Sequence, residues 1–208
     1  MISTILKYFP GLGEEQSGRM QTYATCLLEW NEKINLVSRK DSDELVTRHI
    51  LHSLVIAKYI SFPDRSYIMD AGTGGGLPGV PLAILFPECR FLLADSIGKK
   101  IKALQDIITR TGLNNVTARQ VRVEELSEKF DFVVSRAVAP MADLYRWTSG
   151  KIKAGKPGNG KHGIICLKGG NLESEIEALK KSVEIVPVSD YFEEDYFIEK
   201  KIVYIPVP

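Results

Sequence analysis

Apolar residues change their spacing near residue 63, and the structure they specify changes with it. Before that point they recur at helical intervals. Tyr23, Cys26, Leu27 and Trp30 fall at i, i+3, i+4 and i+7, one apolar stripe on a helix. A second helix is expected to start at Asp41, with Glu44 as its capping-box partner, and to bury Leu51, Leu54, Val55 and Ala57. Ser61-Phe62-Pro63-Asp64 punctuates the chain there. From Tyr67 onward, short apolar runs at 67–69, 91–94, 116–121, 130–134 and 163–167 alternate with helical stretches such as Ile101, Leu104, Ile107 and Ile108. Strands separated by helices of this length make βαβ units and a parallel sheet. Segments 183–188 and 201–207 have no helix between them and are expected to pair antiparallel. The pattern predicts an α/β domain over 63–208, preceded by a helical N-terminal extension over 1–62.

The most informative segment is Tyr67-Ile-Met-Asp-Ala-Gly-Thr-Gly-Gly-Gly-Leu-Pro-Gly79. A strand ends at Asp70, the loop holds Gly72, Gly74 and Gly76, and a helix follows with Pro78 near its first turn. Glycines let a ligand approach the backbone closely and tolerate positive φ. A second acid, Asp95, ends the next strand 23 residues after Gly72. A carboxylate there can accept hydrogen bonds from both ribose hydroxyls of an adenosyl group. Gly74-x-Gly76-x-x-Gly79 also satisfies the dinucleotide pattern, so the glycines alone leave NAD open. Three features favour S-adenosylmethionine. Asp70 closes the strand where it can order the loop or face the methionine amine. No later segment offers the second catalytic domain that most dehydrogenases need. Two short strands end the chain, as in the seven-stranded methyltransferase sheet. A P-loop is excluded, because no Gly-Lys-Ser/Thr occurs.

Val123-Glu124 follows the third run, where this architecture faces the adenine. Ser135-Arg136-Ala137 follows the fourth and Lys168-Gly169-Gly170 ends the fifth. Open α/β sheets bind ligands at the carboxyl ends of their strands, so Arg136 is expected where cofactor and acceptor meet. No Asn/Asp-Pro-Pro-Tyr/Phe follows the fourth run, which argues against methylation of an exocyclic base amine. No Pro-Cys nucleophile occurs, and Cys166 lies in a strand pattern as a core residue. An acceptor needing neither base nor covalent attack fits. Guanine N7 is one: its lone pair lies in the ring plane and carries no proton. Catalysis is then mostly alignment and desolvation, and no general base is assigned.

Composition narrows the setting. The 208 residues are 44 % hydrophobic and 25 % charged, the balance of a globular chain. Cys26, Cys89 and Cys166 are too far apart for a metal knuckle or redox pair, and three histidines are poor material for zinc. The start, MISTILKYFPGLGEE, lacks the charged n-region of a signal peptide. The uncharged stretch 71–87 is broken by glycines and prolines, which excludes a membrane span. The expectation is a cytoplasmic protein without metal, working as a monomer. Net charge is +1, but residues 99–168 carry +8 against −7 elsewhere, and 171–208 carry −5. Arg146, Lys151, Lys153, Lys156, Lys161 and Lys168 form a block without acids, expected on the ligand rim where phosphates would position RNA.

Taken together the residues resemble one family, bacterial small-subunit ribosomal RNA methyltransferase G, also called glucose-inhibited division protein B. The resemblance runs from about Trp30 to Gly170. It rests on Trp30-Asn-Glu-Lys-Ile-Asn-Leu36, His49-Ile-Leu-His-Ser-Leu54, Asp70 to Ile84, Leu93-Ala-Asp-Ser96 with Lys99-Lys100, Arg122-Val-Glu-Glu125, Ser135-Arg-Ala137 and Leu167-Lys-Gly169. It implies a class I S-adenosylmethionine-dependent methyltransferase fold: a Rossmann-like, seven-stranded, mostly parallel sheet. It also implies N7 methylation of a guanine in the 530 loop of 16S ribosomal RNA, as naked RNA or in the 30S subunit. Implied cofactor contacts are Gly72, Leu77, Val123, Glu124 and Arg136, with Asp95 at the ribose. The family often has Asp where this chain has His52. Two other readings stay open: a small-molecule methyltransferase with the N-terminal helices as a lid, and a non-catalytic RNA-binding assembly factor.

Overall fold

The computed structural model describes residues 2–38, 44–154 and 162–207. Its centre is a seven-stranded sheet in the order β3-β2-β1-β4-β5-β7-β6. The strands are β1 (Tyr67–Ala71), β2 (Arg90–Asp95), β3 (Val116–Gln120), β4 (Phe132–Arg136), β5 (Gly163–Gly169), β6 (Glu184–Pro187) and β7 (Lys200–Pro206). The first five are parallel, and β7 runs antiparallel between β5 and β6. The expected terminal pair is therefore present, but β7 also joins the sheet to β5. β4 begins two residues later than its apolar run predicts, because Phe130 instead bridges to Ile152 outside the sheet. β3 sits at the edge with mostly exposed or half-buried side chains, so its run is the weakest of the five.

Helices cover both faces, as parallel strands require. Alternate side chains divide between two cores. Ile68, Phe91, Leu93, Phe132 and Val134 pack beneath α4 (Gly79–Leu85), α5 (Gly98–Thr111), and the N-terminal helices α2 (Glu14–Lys33) and α3 (His52–Tyr59). Met69, Leu92, Val133, Ile164 and Cys166 pack on the other face, towards α6 (Met141–Thr148) and α7 (Glu173–Leu179). A short first helix, α1 (Ser3–Tyr8), adds Ile5 to the first core.

Along α2, Tyr23, Cys26 and Leu27 are fully buried as the stripe predicts. Trp30 is half-buried, and its indole N–H donates to Asp106 of α5 at 2.8 Å. The start expected at Asp41 lies outside the described residues. What is described begins as a π-helical turn, Val46–Leu51, that runs into α3 and buries Leu51, Leu54 and Val55, with Ala57 half-buried. Turns of this kind are frequent at functional sites, and this one carries His49.

Candidate active site

Strand order reverses between β1 and β4, the position at which open α/β sheets hold their ligands. The loop after β1 is tied down from beneath. Asp70 is fully buried, and its Oδ2 accepts from the Thr73 hydroxyl at 2.6 Å and the Gly79 N–H at 2.8 Å. A Cβ on Gly79 would lie 2.2 Å from Leu93 and 2.8 Å from that same oxygen, so only glycine lets α4 begin this close to the strand. Asp70 thus orders the loop, the first of its two expected roles. Burial drives its carboxyl up to about 7, against the two hydrogen bonds, which favour the charged form.

Gly72 leaves β1 with φ +69°, and a Cβ there would lie 2.4 Å from Val138. Val138 belongs to the turn that ends β4, where Ala137 also adopts a left-handed φ of +52°. A non-glycine residue held there is strained, and such strain gathers at ligand clamps. Ser135 closes the junction by donating from its hydroxyl to the Ala71 carbonyl at 3.0 Å.

Two cavities of about 420 Å³ each open on either side of this junction, and both are lined by Gly72, Lys100 and Ala137. The first is bounded by Asp95, Ile97, Val123, Glu124, Val138 and Trp147. It has the chemistry an adenosyl group needs: apolar walls for the base and a carboxylate for the sugar. Asp95 is nearly buried, its Oδ2 taking the Gly74 N–H at 3.0 Å and its Oδ1 the Ile97 N–H at 2.9 Å. Each oxygen keeps a lone pair, so the carboxylate can hold the loop and two hydroxyls together. These residues fit S-adenosylmethionine.

The second cavity is lined by Leu77, Arg136, Lys168 and Lys200, and by His49 and His52 from the N-terminal helices. An Arg136 Nη lies 2.8 Å from His49 Nδ1. A guanidinium only donates, so that nitrogen of His49 must be the one without a proton. Of the six residues expected at the cofactor, Asp95, Val123 and Glu124 lie on the first cavity, Leu77 and Arg136 on the second, and Gly72 on both.

A family model described as GidB, rRNA small subunit methyltransferase G, matches residues 16–198. The chain belongs to that family. A ribosomal RNA small subunit methyltransferase G of Christiangramia forsetii is 50 % identical over 206 residues, covering 99 % of this chain and 97 % of the relative. The same-named protein of Bacteroides thetaiotaomicron is also 50 % identical, over 200 residues, covering 96 % and 97 %. Among solved structures, a SAM-dependent methyltransferase from Aquifex aeolicus superposes with a TM-score of 0.58 at 12 % identity, over 79 % of this chain and 93 % of that one. A precorrin-6y C5,15-methyltransferase from Geobacter metallireducens gives 0.55 at 14 %, over 83 % and 90 %. At such identities the structures speak for the fold alone: class I, Rossmann-like.

The N-terminal helices clamp this family's glycine loop from above. Tyr23 is fully buried and donates its hydroxyl to the Gly75 carbonyl at 3.0 Å. Asn31 accepts the Leu36 and Val37 N–H groups, each at 2.9 Å, and so fixes the turn that walls the second cavity. Tyr23→Phe is expected to cost about 1 kcal/mol of stability, the net worth of one hydrogen bond. Chemical denaturation of the two proteins measures it.

The basic block needs correction. Lys153 pairs with Asp131 at 2.8 Å, and Asp131 adjoins the start of β1, so this lysine sits at the amino ends of the strands, away from both cavities. Lys151 donates to the Glu124 and Leu126 carbonyls, and Arg146 pairs with Asp143. Lys168 reaches the rim but also holds the Ala139 carbonyl at 2.6 Å and Glu175 at 2.8 Å. Lys156 and Lys161 lie outside the described residues, as does most of the loop 154–163. The cation that sequence reasoning missed is Lys200, which β7 brings from the acidic tail. No local signal marks it. His49 and Tyr196 were also missed as cavity residues, although His49 opens a segment that carries the family resemblance.

Among the described residues no group of His, Cys, Asp and Glu could hold a metal ion, and no helix is long and apolar enough to cross a membrane.

Proposed function

We infer that this chain methylates N7 of a guanine in 16S ribosomal RNA with S-adenosylmethionine. The observation that carries this reading is the pair of cavities meeting at Gly72, one chemically suited to an adenosyl group and one lined by cations, in a chain of the methyltransferase G family. When bound, S-adenosylmethionine supplies an electrophilic methyl on a sulfonium. Asp95, Val123, Glu124 and Gly72 would hold its adenosyl part, with Leu77 and Arg136 on the side where the acceptor enters. Leu36, Val37, His49 and His52 of the helical extension 1–62 wall the acceptor side of the domain 63–208, and the chain works as a monomer in the cytoplasm.

The residues near the junction suit alignment better than proton transfer. Asp70 lies sealed beneath the loop, and burial pushes the Cys166 thiol up to about 12, which leaves it inert as a nucleophile. An acceptor whose lone pair carries no proton needs neither. Arg136, Lys200 and Lys100 give the second cavity a positive field that draws in a phosphate-rich substrate.

Incubation with 30S subunits or naked 16S RNA and labelled S-adenosylmethionine, followed by base mapping, is expected to place the label on N7 of one guanine. The rate should fall as salt rises. Label only on a protein or a small metabolite would reject the RNA assignment, and no binding of S-adenosylmethionine by calorimetry would favour an assembly factor.

A further inference from the structure

Arg136 enters the second cavity from the end of β4, between two fixed points of backbone. Ser135 before it is tied to the Ala71 carbonyl at 3.0 Å, and Ala137 after it is held at a φ of +52°. The arginine side chain itself is long and has much rotamer freedom to lose. It meets an acceptor from a distant part of the chain, His49 Nδ1 at 2.8 Å. His49 is buried, and the π-helical turn Val46–Leu51 places it. The backbone of that turn is fastened too: the His49 carbonyl accepts from the Ser53 hydroxyl at 2.7 Å and from the His52 N–H. An imidazole that accepts at Nδ1 carries its proton on Nε2 and has no net charge. The bond therefore orients the guanidinium without neutralising it, whereas a carboxylate in its place would cancel the charge. Lys100, Lys168 and Lys200 line the same cavity, and none of the described residues that line it is acidic.

We propose that His49 is a positioning residue: it fixes Arg136 towards the second cavity as an uncharged acceptor, so that the full positive charge meets the incoming RNA. A guanidinium held in this way gives up less freedom when RNA arrives, and the gain appears as affinity. His49 belongs to the helical extension and Arg136 to the sheet. The extension thus does more than wall the cavity, since it also sets the direction of one of its cations. The inference rests on the guanine-N7 reading above.

The test compares wild type, His49→Leu and His49→Asn. Leucine removes the acceptor at similar bulk, while asparagine can place its Oδ1 where Nδ1 stands. In steady-state methylation of 16S RNA, His49→Leu is expected to lower kcat/KM by about tenfold, mostly through KM, and His49→Asn by no more than about threefold. A second measurement reads the coupling to Arg136 from binding alone, with a labelled 16S RNA fragment. His49→Leu should raise the RNA Kd by about tenfold in the native background and leave it unchanged in the Arg136→Met background. Equal losses in the leucine and asparagine variants would overturn the proposal. So would an undiminished effect of His49→Leu in the Arg136→Met background, the mark of packing alone. Should His49→Leu not fold, His49→Asn carries the test by itself, because a loss of about tenfold there removes the acceptor role. Wild type that labels no guanine N7 would instead overturn the functional reading, and this inference with it.

Discussion

Between about pH 4 and pH 7, the stability of the wild-type protein is expected to fall, relative to an Asp70→Asn variant, by up to about 4 kcal/mol. Asp70 is sealed beneath the glycine loop, and burial raises its carboxyl from the ordinary 3.8 to about 7. The unfolded chain gives up this proton near pH 4, whereas the folded protein keeps it until about 7. Within that window rising pH favours unfolding. The contribution is fully present below the unfolded value, is lost as pH rises through the folded one, and changes no further above it. Ionised Asp70 would place charge on an Oδ1 that has no hydrogen-bond partner among the described residues, while only Oδ2 is served by Thr73 and Gly79. His52 acts in the opposite sense. Its imidazole is held neutral, so its contribution is present above the ordinary histidine range and lost as pH falls. His52 is common to both proteins, and their difference isolates Asp70. Urea unfolding of each at a series of pH values gives that difference. Curves that stay parallel to within about 1 kcal/mol would show Asp70 to be ionised in the folded state.

Asp95→Ala is expected to weaken S-adenosylmethionine binding by about 1.5–3 kcal/mol, tenfold to beyond a hundredfold, the usual worth of hydrogen bonds to a charged group. The carboxylate has two duties: it lines the adenosyl-side cavity, and it holds the Gly74 and Ile97 N–H groups that shape it. Alanine removes both. Asparagine keeps one acceptor oxygen and should lose less. Calorimetry on the three proteins separates the duties, and an unchanged affinity in Asp95→Ala would remove this acid from the site.

The sheet was legible because buried parallel strands have no choice of composition. Runs such as Phe91 to Ala94 are apolar on both faces, and glycine, proline or a charged residue marks their ends. The adenosyl side was legible for a related reason, since Asp70, the glycines and Asp95 lie on two consecutive strand ends that the register sets side by side. The second cavity was legible only in part: Arg136 was expected from its place at the end of β4, but His49 and Lys200, far from it along the chain, join it only through the fold. The basic block misled because a βαβ segment crosses the whole sheet. One linear window therefore samples both ends of the strands, and Lys153 fell at the wrong one. His52 was visible as a departure from the family pattern, but its burial against Tyr196 and Phe197 could be read only once those neighbours were placed.

Helix α2 holds two parts of the second cavity's wall, the glycine loop through Tyr23 on Gly75 and, through Asn31, the turn that carries Leu36 and Val37. Its salt bridge from Glu29 to Arg110 and the Trp30 bond to Asp106 fasten it to α5 as well. A loop and a wall held by one helix share their displacements. A ligand that shifts the glycine loop is therefore expected to change the affinity of the neighbouring cavity for its own ligand, by the same factor in whichever order the two are added.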